Sequence, residues 1–278
     1  MSIFSEPLVM LSVIVIGFVV GLSIGVSGFG GSPILFPFLL LLGIPPHVVV
    51  GTDLAFSFLT KSFATVVHTK IRNVNWRVVS YLLLPVIPTM IFGGWLWIFI
   101  KNNLGSTALD NIILTFLGIL LAIIATYVFS LRKMTNVKFG STDYLLEHRT
   151  VFSKKSRNFL LSGGVLVTFV TQITSSGAGA MLLPLLIRII RSPKFAAGTS
   201  VVVGVAISGA GALFHFALGN IEMHLLITLM IGSIPGVLLG IKIGSVVSFQ
   251  KIMTIMAIIV VIAAVFLLGK GIASILIS

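Results

Sequence analysis

The chain has 278 residues, 57% of them hydrophobic and only 9% charged, with a formal net charge of +12. Soluble domains carry about 25% charged residues, so a mean hydropathy of +1.20 excludes an ordinary soluble domain and predicts an all-α polytopic integral membrane protein. The chain has no cysteine, which excludes disulfides, thiolate metal sites and cysteine nucleophiles.

From the N-terminus, Met1–Pro7 holds Glu6 and no Lys or Arg. The basic start of a secretory signal is missing, and the segment is not expected to be one. A bilayer crossing takes roughly 20 apolar residues. Spans are expected at 8–27, 48–68, 77–100, 109–131, 157–174, 195–217, 223–247 and 252–269. Two apolar runs, about 33–43 and 180–190, are short for a full crossing. The polar stretch 132–156, with Arg132, Lys133, Lys138, Arg149, Lys154 and Lys155, separates a first transmembrane repeat (1–131) from a second (157–278). Its positive charge predicts a cytoplasmic linker. The other basic residues sit in short loops between apolar runs, which speaks against nucleic acid as a partner.

The two halves are copies. An offset of 147 residues brings Pro37 onto Pro184, Pro46 onto Pro193, Gly51 and Thr52 onto Gly198 and Thr199, and His68 onto His215. It also brings Asn73 onto Asn220, Pro88 onto Pro235 and Gly93 onto Gly240. Matched Gly, Pro, Thr, His and Asn are not a product of apolar composition, and an internal repeat in a membrane chain points to a transporter with its site between the halves. An odd number of crossings per half puts Lys70, Arg72, Arg77, Arg188, Arg191, Lys194, Lys242 and Lys251 inside, and leaves Lys101 and Lys270 outside. That count predicts two homologous, inverted repeats with broken or short helices near the midplane. The alternative is eight spans in two parallel four-helix repeats.

The candidate site residues follow the same order. Gly30, Gly31 and Ser32 lie in a glycine-rich break after the first span, and Ser175, Ser176, Gly177 and Gly179 occupy the matching place in the second half. Exposed N–H groups at a helix start favour an anion, and irregular backbone at membrane depth is tolerated where it lines a cavity. Tight packing through small residues is the alternative for such stretches. Thr52 and Thr199 stand near the starts of long helices as N-caps or as donors to a substrate. Asp53 pairs in the repeat with Ser200, and Lys61 with Ser208, so the scaffold is symmetric but its charges are not. Asp53 and Lys61 are eight residues apart, about 80° around a helix, so they are not expected to pair directly. Lys61 would attract an anion. Asp53 is a candidate for a coupling proton, and His68 and His215 are candidates for a proton relay. Gln172 is a neutral donor in the first span of the second half. Asn73 and Asn220 belong to turns, and Pro88 and Pro235 mark kinks.

No metal-ligand cluster, zinc-protease motif or phosphate-binding loop is present, so neither an enzyme nor a cofactor is expected and coupling would use an ion or substrate gradient. The run from Gly21 to Pro37 (GLSIGVSGFGGSPILFP), then Leu42–Pro46 (LGIPP) and Val50–Thr52 (VGT), resembles the sulfite exporter TauE/SafE family, as do Ala197–Ser200, His68 and Asn73–Trp76 (NVNW). The resemblance covers nearly the whole chain apart from the linker. It implies a secondary carrier in the bacterial inner membrane for sulfite, a sulfonate such as sulfoacetate, or a related oxyanion, built as a duplicated four-span unit. Asp53 stands where that family usually has Ser after Gly-Thr, and Ser175 and Ser176 replace a glycine region.

The expectation is therefore a secondary transporter that moves a small sulfur-containing anion by alternating access, with the bilayer and a coupling proton or sodium ion as partners. A passive anion channel, a carrier for a small carboxylate and a non-transporting membrane assembly are the alternatives.

Overall fold

Glycine and proline decide where this apolar chain turns. The computed structural model describes residues 7–28, 30–134, 154–190, 192–244, 246–247 and 249–277. They form α1 (Pro7–Ser27), α2 (Ser32–Leu41), α3 (Pro46–Lys70), α4 (Trp76–Leu83), α5 (Val86–Met134), α6 (Lys154–Thr174), α7 (Gly177–Ala180), α8 (Leu182–Ile190), α9 (Pro193–Ala217), α10 (Met223–Gly244) and α11 (Phe249–Ile277). No strand occurs among the described residues, and the protein is an all-α polytopic membrane protein.

Local chemistry sets the ends. Pro33, Pro46 and Pro193 sit in the first turns of α2, α3 and α9, where a missing N–H costs nothing. The Asn75 side chain caps α4 by accepting the Val78 N–H at 3.2 Å. The long helices α3 and α9 close in the same way. Arg72 and Gly219 adopt left-handed φ of 55° and 70°, and the next N–H returns to the histidine, Asn73 to His68 and Asn220 to His215, each at 3.0 Å. Asn73 and Asn220 are thus helix-ending residues.

Five helices are long and apolar enough to cross a bilayer: Pro7–Val26, Trp76–Thr126, Phe195–Ala217, Met223–Gly244 and Thr254–Gly271. The second is 51 residues long, about 76 Å if straight and more than two bilayer thicknesses. It is interrupted after Leu83, before Pro85, and again at Gly105 (φ 83°, ψ 168°). The expected span 77–100 is therefore not one helix but α4 plus the start of α5. The expected spans 48–68 and 157–174 form α3 and α6, yet stand outside the five because they carry the interior polar groups. The short runs become α2 and α8, ten and nine residues long. The expected linker 132–156 falls mostly outside the described residues; its ends, 132–134 and 154–156, are helical.

Two seams hold the halves together. In the first, α1 and α10 run parallel with their backbones in contact. A Cβ on Gly17, Gly21 or Gly25 would lie 2.3–2.4 Å from the carbonyls of Leu229, Ser233 and Val237, and one on Gly232 or Gly236 would meet those of Ile14 and Phe18. Small residues four apart permit this approach, which in lipid replaces the hydrophobic effect as the packing force. In the second, the repeat counterparts α3 and α9 lie antiparallel. A Cβ on Gly51 would stand 2.1 Å from Asn220 O, and one on Gly198 2.1 Å from Asn73 O. Large apolar side chains such as Leu11, Val15, Ile87, Ile91, Trp95, Leu213 and Ile262 face outward, while Asp53, Lys61, Gln172 and His215 are buried.

Candidate functional site

The breaks after α1 and α6 have one geometry. Gly28 and its counterpart Ser175 both adopt the left-handed region, with φ 63° and 59°. Glycine enters that region without strain, whereas a serine there costs about 1–3 kcal/mol and needs support from its surroundings. The two breaks touch: a Cβ on Gly30 would lie 2.7 Å from the Cα of Gly179, and Ser32 Oγ donates to Ser175 O at 3.4 Å. Gly30, Gly31, Ser32, Ser175, Ser176, Gly177 and Gly179 are all buried.

The next residues meet these breaks across the halves. Ser175 Oγ and Asp53 Oδ2 are hydrogen-bonded at 2.5 Å. At the matching place, Ser200 Oγ donates to Gly28 O at 2.9 Å and also reaches Ala197 O. One junction therefore pairs a glycine with a serine where the other pairs a serine with a carboxyl. The Asp53 side chain is wholly buried, its Oδ1 has no partner among the described residues, and Ser32, Ser57 and Lys61 are its other polar neighbours.

Lys61 is two turns further along α3 and 1% exposed. A Cβ on Gly204 of α9 would lie 3.0 Å from its Cδ, 3.2 Å from its Nζ and 3.3 Å from Ala178 O. The ammonium thus fills the space that a glycine leaves, beside the second break. Among the described residues no carboxylate lies within ion-pair distance of it; the ion pair there is His47 with Asp110 at 2.8 Å. Ser208, the counterpart of Lys61, donates to Gly204 O in its own helix.

Thr52 and Thr199 have reciprocal work. Thr52 Oγ1 accepts the Glu222 N–H and Thr199 Oγ1 accepts the Asn75 N–H, each at 3.0 Å. Both hydroxyl oxygens satisfy backbone of the opposite half.

The histidines are not brought together with this cluster. Since α3 and α9 are antiparallel, His68 and His215 stand at opposite ends of the pair. Neither ring nitrogen of His68 has a partner among the described residues. His215 packs edge-on to Trp97 at 4.7 Å, its Nδ1 lies 3.3 Å from Asn220 Nδ2, and its Nε2 is unpartnered. Gln172, three residues before the second break, is buried, with both amide atoms unpartnered among the described residues and its Oε1 3.3 Å from where a Gly211 Cβ would sit.

Sequence reasoning missed Ser57, Gly204 and the α1–α10 glycine seam. The four-residue spacing of Gly17, Gly21 and Gly25 was the available signal for the seam. Nothing local marks Gly204, whose role comes from the lysine opposite. Two apolar grooves of about 660 and 460 Å³ contain none of the candidate residues. No group of three or more His, Asp or Glu that could hold a metal occurs among the described residues.

A family model described as Sulfite exporter TauE/SafE matches residues 13–267. A probable membrane transporter protein of Bacillus subtilis, YjnA, is 28% identical over 260 residues, covering 93% of this chain and 99% of that protein. A probable membrane transporter protein of Methanocaldococcus jannaschii is 25% identical over 76% of this chain and 74% of its own length. One from Xylella fastidiosa is 24% identical over 93% and 94%. No solved structure matches.

Proposed function

The chain belongs to the sulfite exporter TauE/SafE family, a family of membrane transporters, and from that premise we propose that it carries a small sulfur-containing anion, sulfite or a sulfonate, through a site centred on Lys61. The observation that carries this reading is a buried ammonium with no carboxylate at ion-pair distance among the described residues, set beside a backbone break. A lysine inside a membrane helix costs about 2.5–3.5 kcal/mol even by insertion scales. A counter-ion that arrives as substrate offsets that cost. The first N–H groups of a helix lack acceptors within it, so the start of α2 at Ser32, preceded by Gly30 and Gly31, adds donors on the other side. Ser176, Gly177 and Gly179 border the same region, and Gln172 contributes an unpartnered amide.

Alternating access fits the pairing of α3 with α9. Inverted repeats are related by an axis in the membrane plane, which makes counterpart helices antiparallel; parallel repeats would run them in the same direction. The burial of Asp53, Lys61, Ser175 and Thr199 corresponds to an occluded conformation between inward- and outward-open forms. We place the carrier in the inner membrane with 132–156 on the cytoplasmic side, on the charge distribution.

The test is thermal stability of the purified protein against an anion panel at fixed ionic strength and pH, since a ligand that binds the folded state raises its melting temperature. Stabilisation by sulfite or a sulfonate, and not by chloride or sulfate, is the expected result. Stabilisation by carboxylates alone would change the substrate class. Conductance across a planar bilayer without saturation would replace the carrier with a channel.

A further inference from the structure

We propose that Asp53, held by Ser175, is a proton-carrying site, and that one proton crosses with each monoanion bound at Lys61; the coupling rests on the carrier reading above, the proton site does not. Three observations carry it.

The first is an internal control. The scaffold at this place is built twice, and at the counterpart positions the halves are joined by Ser200 Oγ on the Gly28 backbone carbonyl, with no carboxyl. The contact therefore does not require a carboxyl, and the cost of burying one at 0% exposure is not explained by folding.

The second is a hydrogen count. Ser175 Oγ lies 2.5 Å from Asp53 Oδ2 and 2.5 Å from Thr174 O. A hydroxyl has one hydrogen, so it can donate to only one of two oxygens that close. Both contacts are bonded when Asp53 supplies the second hydrogen: its O–H donates to Ser175 Oγ, whose O–H donates to Thr174 O. Neutral Asp53 also leaves no bare negative charge beside the unpartnered Oδ1.

The third is the charge balance. Lys61 is the charged group that acts on the Asp53 carboxyl. Elsewhere on the helices packed against α3, Lys101 and Asp110 of α5 flank the Gly105 break, and His215, His224 and Lys242 sit near the ends of α9 and α10; His68 is near the end of α3 itself. With an anion at Lys61 and a proton on Asp53, the site is neutral. With neither, the Asp53 carboxylate and the Lys61 ammonium balance and it is neutral again. Either ion alone leaves an uncompensated buried charge, which is costly. The proton enters Asp53 from water on one side of the membrane and leaves to water on the other; no other bond changes.

Two arms test this. In the first, infrared spectra of the lipid-reconstituted protein follow the protonated-carboxyl band with pH. The chain has only six Asp and Glu, so one carboxyl is resolvable. Wild type with saturating methanesulfonate should show a band at neutral pH that Asp53→Asn lacks. The paired variant Asp53→Ser, Ser175→Gly should lack it too, and because it places at 53 and 175 the residues of the counterpart positions 200 and 28 it should fold, as its melting curve will report. Identical bands in all three would overturn the proton site, and a band abolished by Na⁺ at constant pH would overturn it in favour of sodium. In the second arm, methanesulfonate, which does not titrate in this range, is the transported probe in proteoliposomes. A one-unit pH gradient should drive roughly tenfold accumulation at one proton per monoanion, and both variants should lose it. Accumulation by the variants equal to wild type would overturn the coupling. If wild type moves no anion while the Asp53 band is present, the anion reading fails and the proton site stands.

Discussion

The Thr52 hydroxyl oxygen accepts the Glu222 backbone N–H at 3.0 Å, and 147 residues further on Thr199 accepts that of Asn75 at the same distance. The start of each long helix is thereby tied to the segment that follows the end of the other. Thr52→Val or Thr199→Val leaves a part-buried N–H without its acceptor, which costs about 1–3 kcal/mol. Denaturant unfolding in detergent should register that loss, and Ser in place of Thr should recover most of it. A change in anion affinity without a change in stability would return these hydroxyls to the substrate.

The same joint depends on glycine. Gly51→Ala and Gly198→Ala each push a methyl to 2.1 Å from a backbone oxygen of the opposite half. Backbone cannot swing aside as a side chain can, and overpacking of this kind costs about 1–3 kcal/mol or more. Gly269→Ala is the matched control, since nothing lies within 4 Å of its Cβ position, and it should be neutral or stabilising by up to about 1 kcal/mol. Equal melting temperatures for Gly51→Ala and Gly269→Ala would contradict the close approach.

Lys61 and Ser208 share a repeat position but not a role. Lys61→Met should weaken sulfite or sulfonate binding by about tenfold to a hundredfold, the worth of a charged hydrogen bond. Its melting temperature should hold or rise, because a buried charge with no ion-pair partner within reach has been removed and Asp53 can take a proton in its place. Ser208→Ala, which loses only a bond within its own helix, should change affinity by less than about threefold. Equal effects of the two on affinity, measured by thermal shift, would remove the anion from Lys61.

Orientation is open to labelling, because the natural chain has no cysteine. Arg77 and His224 are counterparts at the 147-residue offset and both are exposed. With inverted repeats, Arg77→Cys should react with an impermeant maleimide only from the cytoplasmic side and His224→Cys only from outside. Labelling of both from one side would establish parallel repeats.

The sequence by itself determined the class of protein, the 147-residue register of matched residues and the break that follows the first span of each half. Each is local: lipid demands apolar runs, and Gly28, Pro46 and Pro193 act on the backbone beside them. It also pointed to Asp53 and Lys61, because a charge in an apolar run stands out whatever surrounds it. Tertiary structure decided what those residues meet. Only there does Asp53 find Ser175, across the halves and at the positions whose counterparts are Ser200 and Gly28. Only there do the Thr52 and Thr199 oxygens turn to backbone, and His68 and His215 part to opposite ends of an antiparallel pair. Partners more than a hundred residues apart are set by how close two helices can approach. That depends on which glycines face each other, a relation between segments that neither segment carries alone.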